Sequence, residues 1–132
     1  MKNARNHLCF LRLCMASLLP VMGLMAHMPA WAGPVLDRVT SSGQLRVCIW
    51  PDYYGITFRS PKTQQLSGID IDLSAAFAKD LGATLVYVDS SFVKLVEQLK
   101  TDRCDIAMHA VGVTAQRQQS LAFSIPYLQS DI

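Results

Sequence analysis

The residues best placed to do chemistry lie between Asp102 and Tyr127, in the run DRCDIAMHAVGVTAQRQQSLAFSIPY. Thr114 stands where it can cap a helix beginning at Ala115, which puts Arg117 in that helix's first turn beside unpaired backbone N–H groups. A guanidinium fork near free N–H groups at a positive helix end is an anion site, and a planar carboxylate is the anion it fits best. The alternative is that Arg117 pairs with a surface acid. His109 alternates with Met108 and Ala110, so it either faces a pocket or lies in the interior as a satisfied histidine. Trp50, Tyr53 and Tyr54 form a second group, whose rings could cover an apolar ligand part, stack on a cation or simply pack in a core. Asp52 beside them could receive an ammonium group, and an exposed turn after Pro51 would hold an aspartate equally well. Asp70 and Asp72 make a tempting carboxylate pair, but at a helix start they read as caps and dipole compensation rather than as acid–base partners.

No His, Cys and carboxylate cluster has metal-ligand spacing, no glycine-rich phosphate loop follows a strand, and no serine sits in a nucleophile elbow. The expectation is therefore a binding protein with no metal or cofactor, and not an enzyme.

The first 32 residues read as a secretory signal. Lys2, Arg5 and Arg12 precede an apolar run from Leu13 to Met25, and Ala30-Trp31-Ala32 supplies small residues at a cleavage site. The run is broken by Ser17, Pro20 and Gly23 and falls short of the roughly 20 residues a membrane span needs. Removing it takes away three of the twelve Lys and Arg and no acid, leaving nine against ten and a net charge of about −1. The basic balance of the whole chain thus belongs to the export signal and is no footprint for nucleic acid. Only Cys48 and Cys104 remain after that removal, in a compartment that permits a disulfide. They are open to two readings, one bridge or two small buried residues.

The elements that must position these groups follow from periodicity. Leu45 to Trp50 is a short apolar run stopped by Pro51, hence a first and central strand after the turn-like Ser41-Ser42-Gly43. Residues 59–68 are polar with Pro61 and Gly68, an exposed hairpin or loop. From Asp70, apolar Leu73, Ala76, Phe77 and Leu81 recur at helical spacing until Gly82. Thr84 to Val88 is a second strand, Ser91 caps a helix with the stripe Phe92, Leu95, Val96 and Leu99, and Asp105 to Val111 is the third strand. Strand, helix, strand, helix, strand predicts an α/β fold with a parallel sheet and helices on both faces. Ligands gather at the carboxyl ends of such strands, where three loops converge: Trp50 to Tyr54, Asp89 to Phe92, and His109 to Arg117.

These stretches resemble the family 3 periplasmic solute-binding proteins, which serve polar amino acid ABC importers. The likeness runs through Leu36-Asp37-Arg38 with Leu45-Arg46-Val47, Gly68-Ile69-Asp70-Ile71-Asp72-Leu73, and Phe92 at the opening of the second helix. It is carried most specifically by Asp105-Ile106-Ala107-Met108, Thr114-Ala115-Gln116-Arg117 and Phe123-Ser124-Ile125-Pro126-Tyr127. The resemblance implies a periplasmic binding protein type II-like fold, of which residues 33–132 would be the N-terminal lobe only, a truncated form without the second lobe. It implies that Arg117 binds a ligand α-carboxylate, assisted by Gly112 and Thr114, with Tyr53 as aromatic wall and Asp52, Trp50 and Phe92 nearby. His109, Ala110 and Gly112 stand where amino-acid binders often carry hydroxyls or glycine, so ligand identity stays open. The implied partners are a small carboxylate ligand and, for the full-length protein, an ABC transporter membrane permease. For one lobe alone, the expectation is weak binding or none. Two alternatives remain on the same scaffold: a cyclohexadienyl dehydratase-like enzyme, recognised by loss of prephenate or arogenate, and the ligand-binding part of a membrane sensor.

Overall fold

A computed structural model describes residues 33–129; the expected export signal, residues 1–32, lies outside them. The described residues open with helix α1 (Pro34–Ser42), an element missing from the order read off the sequence, which places turn-like Ser41-Ser42-Gly43 ahead of the first strand. Its signals are nevertheless present: proline in the first turn and Gly43 closing the helix at φ 67°, its N–H bonded to the Val39 carbonyl.

Strand β1 (Gln44–Ile49) follows and is the middle of a three-stranded parallel sheet, between β5 (Thr84–Asp89) and β6 (Ile106–Ala107). Strand β5 pairs along its whole length, from Gln44 opposite Thr84 to Ile49 opposite Asp89. Strand β6 pairs at Val47 and Cys48. Leu45, Val47 and Ile49 are fully buried on one face, in a core with Val39 of α1 and with Ile71 and Ala78 of helix α2 (Ile69–Asp80). The opposite face carries Arg46 and Cys48, toward helix α3 (Leu95–Lys100) and Cys104. Between β1 and β5 the chain passes through α2, which packs on the Leu45, Val47 and Ile49 face, and between β5 and β6 through α3 on the Cys48 face, the arrangement that right-handed crossovers produce. The order also makes the gap between the ends of β1 and β6 a topological switch point, where such sheets hold ligands.

Between β1 and α2 lies a small antiparallel sheet of β2 (Asp52–Tyr53), β3 (Thr57–Arg59) and β4 (Leu66–Ser67). The expected hairpin over 59–68 is its β3–β4 connection. The carbonyls of Gly55 and Ile56 accept the N–H groups of Ile69 and Asp70, so this loop caps α2. Asp70 and Asp72 therefore are not the side-chain caps that the sequence suggests: α2 has no side-chain cap bond.

The face of α2 also differs from expectation. Asp70, Ile71, Ser74 and Ala78 are buried, while Leu73 and Phe77 are exposed. Buried Ser74 is affordable because its hydroxyl bonds to the Ile71 carbonyl and to the Tyr87 hydroxyl, both at 2.9 Å. Leu73 and Phe77 instead line an open apolar cavity of about 510 Å³ with Leu95, Leu99, Met108 and Phe123. Strand β6 is shorter than the expected 105–111 because Met108 makes the final ladder bond, to the Cys48 carbonyl at 3.0 Å, before the chain turns away.

Cys48 and Cys104 form a buried disulfide, with Cα atoms 5.6 Å apart, that fastens β1 to the entrance of β6 across 56 residues. A native bridge closing a loop of that size contributes about 4 kcal/mol. The pair Cys48→Ala, Cys104→Ala is expected to lower stability in urea by that order, and reductant should do the same to the unaltered chain but not to the variant. Equal urea midpoints with and without reductant would show the bridge to be dispensable.

Candidate ligand-binding site

The loops after β1, β5 and β6 bring Trp50, Tyr53, Phe92, His109 and Arg117 into one cluster with Phe92 at its centre. The Phe92 ring lies 5.3 Å from Trp50, 6.1 Å from Tyr53 and 5.2 Å from His109, and the Arg117 guanidinium sits over its face at 5.6 Å. Trp50 and Tyr53 are themselves 5.3 Å apart. These are tilted or edge-to-face arrangements, the geometry in which aromatic pairs attract beyond their buried area. Phe92 lies in a turn ahead of α3 rather than in its stripe, and the cap expected at Ser91 falls at Lys94 instead, with no side-chain cap bond; the Ser91 hydroxyl accepts the Lys94 N–H at 3.3 Å within that turn.

Arg117 falls in the one-turn helix α4 (Ala115–Gln118), with Thr114 as the N-cap and its hydroxyl accepting the Arg117 N–H at 3.2 Å. A helix this short lends little dipole, so the positive end expected there is chiefly the side chain itself. The guanidinium donates from Nη1 to the Gly112 carbonyl at 3.0 Å. Among the described residues no carboxylate pairs with it. One edge of the fork is thus steadied by Gly112 and one face by Phe92, a partly exposed arginine held in place with donors to spare.

His109 is fully buried. Its Nδ1 lies 3.2 Å from the Cys48 carbonyl, which can only accept, so Nδ1 carries the proton and Nε2, with no partner among the described residues, presents a lone pair. Burial, chiefly, holds its pKa below the ordinary histidine value; the Cys48 bond and Asp70 oppose this, and Arg117 adds to it. A neutral ring packed against Phe92 is thus the state at neutral pH.

Ala110, next in the chain, has φ 51°, a left-handed conformation that costs a non-glycine residue about 1–2 kcal/mol. Asp52 is exposed at the start of β2 and stands outside the cluster, and so does exposed Tyr54, whose ring packs on Phe58 at 5.4 Å. Asp89, at the end of β5, is occupied by a bidentate pair with Arg59, at 2.7 and 2.6 Å. No three His, Cys, Asp or Glu side chains gather to hold a metal among the described residues.

Sequence reasoning missed the part of Asp70, whose buried carboxylate accepts the Ala110 N–H at 2.7 Å and the Tyr127 hydroxyl at 2.8 Å. The signal that could have found it is a second acid two residues away: α2 needs only one acid to complement its dipole, and Asp72 is the exposed one.

Comparison with known proteins gives these geometries a setting. Residues 45–132 match the model of the bacterial extracellular solute-binding proteins, family 3. A cyclohexadienyl dehydratase of Pseudomonas aeruginosa is 39% identical over 94 residues, 71% of this chain and 35% of that protein. Among solved structures, an ancestral cationic amino acid solute-binding protein superposes with a TM-score of 0.67 at 35% identity, over 70% of this chain and 40% of that one. The arginine-bound form of domain 1 from TmArgBP does so with a TM-score of 0.65 at 32% identity, over 69% of this chain and 71% of that domain. The chain thus spans about a third of the dehydratase and most of a single binding-protein domain. The expectation of a chain that is no enzyme is overturned by the first of these likenesses, since that relative is one. The absence of a local catalytic motif was too weak a ground, because one scaffold can carry both binding and catalysis.

Proposed function

This chain belongs to the bacterial extracellular solute-binding proteins, family 3, and from that premise we propose that residues 33–129 form one wall of a periplasmic ligand cleft. In it Arg117 grips the carboxylate of an amino acid or kindred small acid. The observation that carries the reading is the state of Arg117: no acid claims it among the described residues, Gly112 and Phe92 orient it, and it sits where the ends of β1 and β6 diverge. Trp50 and Tyr53 supply an apolar wall beside it, and Thr114 fixes the turn that bears it. Residues 1–32 direct export, and the complete protein hands its ligand to an ABC transporter permease.

The arginine-bound lone domain of a relative supports one lobe being enough to hold a ligand. The expectation of weak or no binding accordingly narrows to weak but measurable binding. Calorimetry on the whole chain with L-arginine, L-histidine and prephenate should find at least one binder, and Arg117→Ala should weaken that binder at least about thirtyfold, as loss of a charge-assisted fork does. Unchanged affinity in the variant would remove Arg117 from the site.

A second reading, a dehydratase acting on a cyclohexadienyl carboxylate, is favoured by the 39% identity to the Pseudomonas aeruginosa enzyme. Both readings use the same carboxylate grip. Loss of prephenate or arogenate above the blank, with the whole chain, separates them.

A further inference from the structure

Asp70 has no capping task, since the Gly55 and Ile56 carbonyls already take the first N–H groups of α2. It is nonetheless fully buried, and no cation bonds to it among the described residues. A carboxylate kept under those conditions needs a reason, because removing it from water is unfavourable unless its oxygens are well used. They are divided between two segments remote in sequence: Oδ2 accepts the Ala110 N–H at 2.7 Å and Oδ1 the Tyr127 hydroxyl at 2.8 Å. Ala110 is the residue with left-handed backbone, immediately after the chain leaves the β1 edge and two residues before the carbonyl that holds Arg117.

We propose that Asp70 is a positioning residue for the anion site: it draws the Ala110 N–H into the left-handed turn that delivers Gly112 and Arg117 to the mouth, and Tyr127 holds its other oxygen. The inference rests on the reading of Arg117 as the carboxylate grip. An alanine released from that bond returns to negative φ, which redirects the peptide planes leading to Gly112. The Tyr127 phenol keeps its proton for this task, since burial first and then Asp70 push its pKa up. The arrangement also ties the segment around Tyr127 to the binding loop through a single carboxylate.

The test uses the ¹⁵N-labelled whole chain with L-arginine as the probe. In Asp70→Ala the Ala110 amide should exchange with solvent at least about a hundredfold faster, and the affinity should fall at least about tenfold. Adding Ala110→Gly, which adopts positive φ freely, should recover most of that affinity, a rescue that a merely structural role of Asp70 would not give. Asp70→Asn keeps one acceptor and should lie between. Tyr127→Phe leaves the core of α2 untouched and should move both readouts the same way by a smaller factor, so the idea stays testable if Asp70→Ala does not fold. Ala110 exchange and affinity both unchanged within about twofold, while Arg117→Ala abolishes binding, would overturn the role of Asp70 and leave that of Arg117 standing. An affinity loss that Ala110→Gly does not recover would overturn it as well. If L-arginine fails to bind the unaltered chain, the exchange rate at Ala110 decides alone.

Discussion

Gly68→Ala is expected to destabilise the fold by about 4 kcal/mol, a large part of the roughly 5–15 kcal/mol that a domain of this kind possesses. Gly68 has φ 130°, a conformation other residues rarely adopt, and a Cβ built there would stand 2.3 Å from the Ile56 carbonyl oxygen and 2.9 Å from that of Gly55. Those obstacles are backbone, so no side chain can swing aside. They are also the two carbonyls that cap α2 through Ile69 and Asp70. Making room for one methyl group therefore strains the chain and breaks two hydrogen bonds at the helix start, each worth about 1 kcal/mol. Because Asp70 begins the same turn, the shift should also reach the Ala110 loop. Urea unfolding of the purified variant provides the measurement, and a midpoint within error of the unaltered chain would show that the 55–56 loop does not hold α2 as described.

Asp105→Asn should cost about 4 kcal/mol at pH 7, in the range found when one partner of a buried ion pair is removed. The Asp105 carboxylate is almost fully buried and serves two arginines. Oδ1 accepts from Arg38 through Nε at 3.0 Å and through Nη2, and from Arg46 Nη2 at 2.8 Å. Oδ2 accepts the Arg46 backbone N–H at 2.7 Å and Nε at 3.2 Å. Asp102 completes the knot, its carboxylate accepting from Arg38 and its carbonyl from Arg46, both at 2.7 Å. The network joins α1, β1 and the entrance of β6, beside the disulfide. Burial alone would push the Asp105 carboxyl up, but the Arg46 side-chain and backbone bonds and the Arg38 bond outweigh it and hold the pKa below its ordinary 3.8. A carboxyl depressed by folding contributes stability that is complete above its unfolded value and disappears as pH falls through the folded one. The unaltered chain should therefore lose this contribution below about pH 4, and the Asn variant, lacking it already, should show a shallower acid decline. Parallel declines between pH 6 and pH 3 would contradict the assignment.

Much of this architecture was legible in the residues. The β1 and β5 runs, the Gly82 that follows α2, the Thr114 cap and the placing of Arg117 all follow from local chemistry that needs no distant partner. What escaped depends on contacts made across the chain. The sequence pattern puts Leu73 and Phe77 on the core face of α2, because periodicity counts apolar residues and cannot see that Ser74 will be satisfied by Tyr87, or Asp70 by Ala110, 40 residues away. The third strand was overextended for a related reason: Val111 and Met108 look like strand residues, but the sheet ends where Asp70 and His109 take the backbone elsewhere. The bridge between Cys48 and Cys104 was one of two readings, since spacing alone does not give the distance between Cα atoms. In the candidate site, residue types pointed to Arg117 and to the rings of Trp50 and Tyr53 but also to Tyr54, which stands apart, while the central place of Phe92 and the full burial of His109 emerge only once three loops are brought together.

The central claim is that the Arg117 fork grips a carboxylate, and the most direct measurement changes the ligand rather than the protein. The tightest binder from the calorimetric panel should be compared with its own carboxamide, which keeps size and shape but lacks the negative charge and one acceptor edge. The arrangement of Arg117, Gly112 and Phe92 predicts a loss of about fiftyfold or more for the carboxamide with the unaltered chain, and little difference between the two ligands with Arg117→Ala. Equal affinity of acid and amide for the unaltered chain would contradict the account.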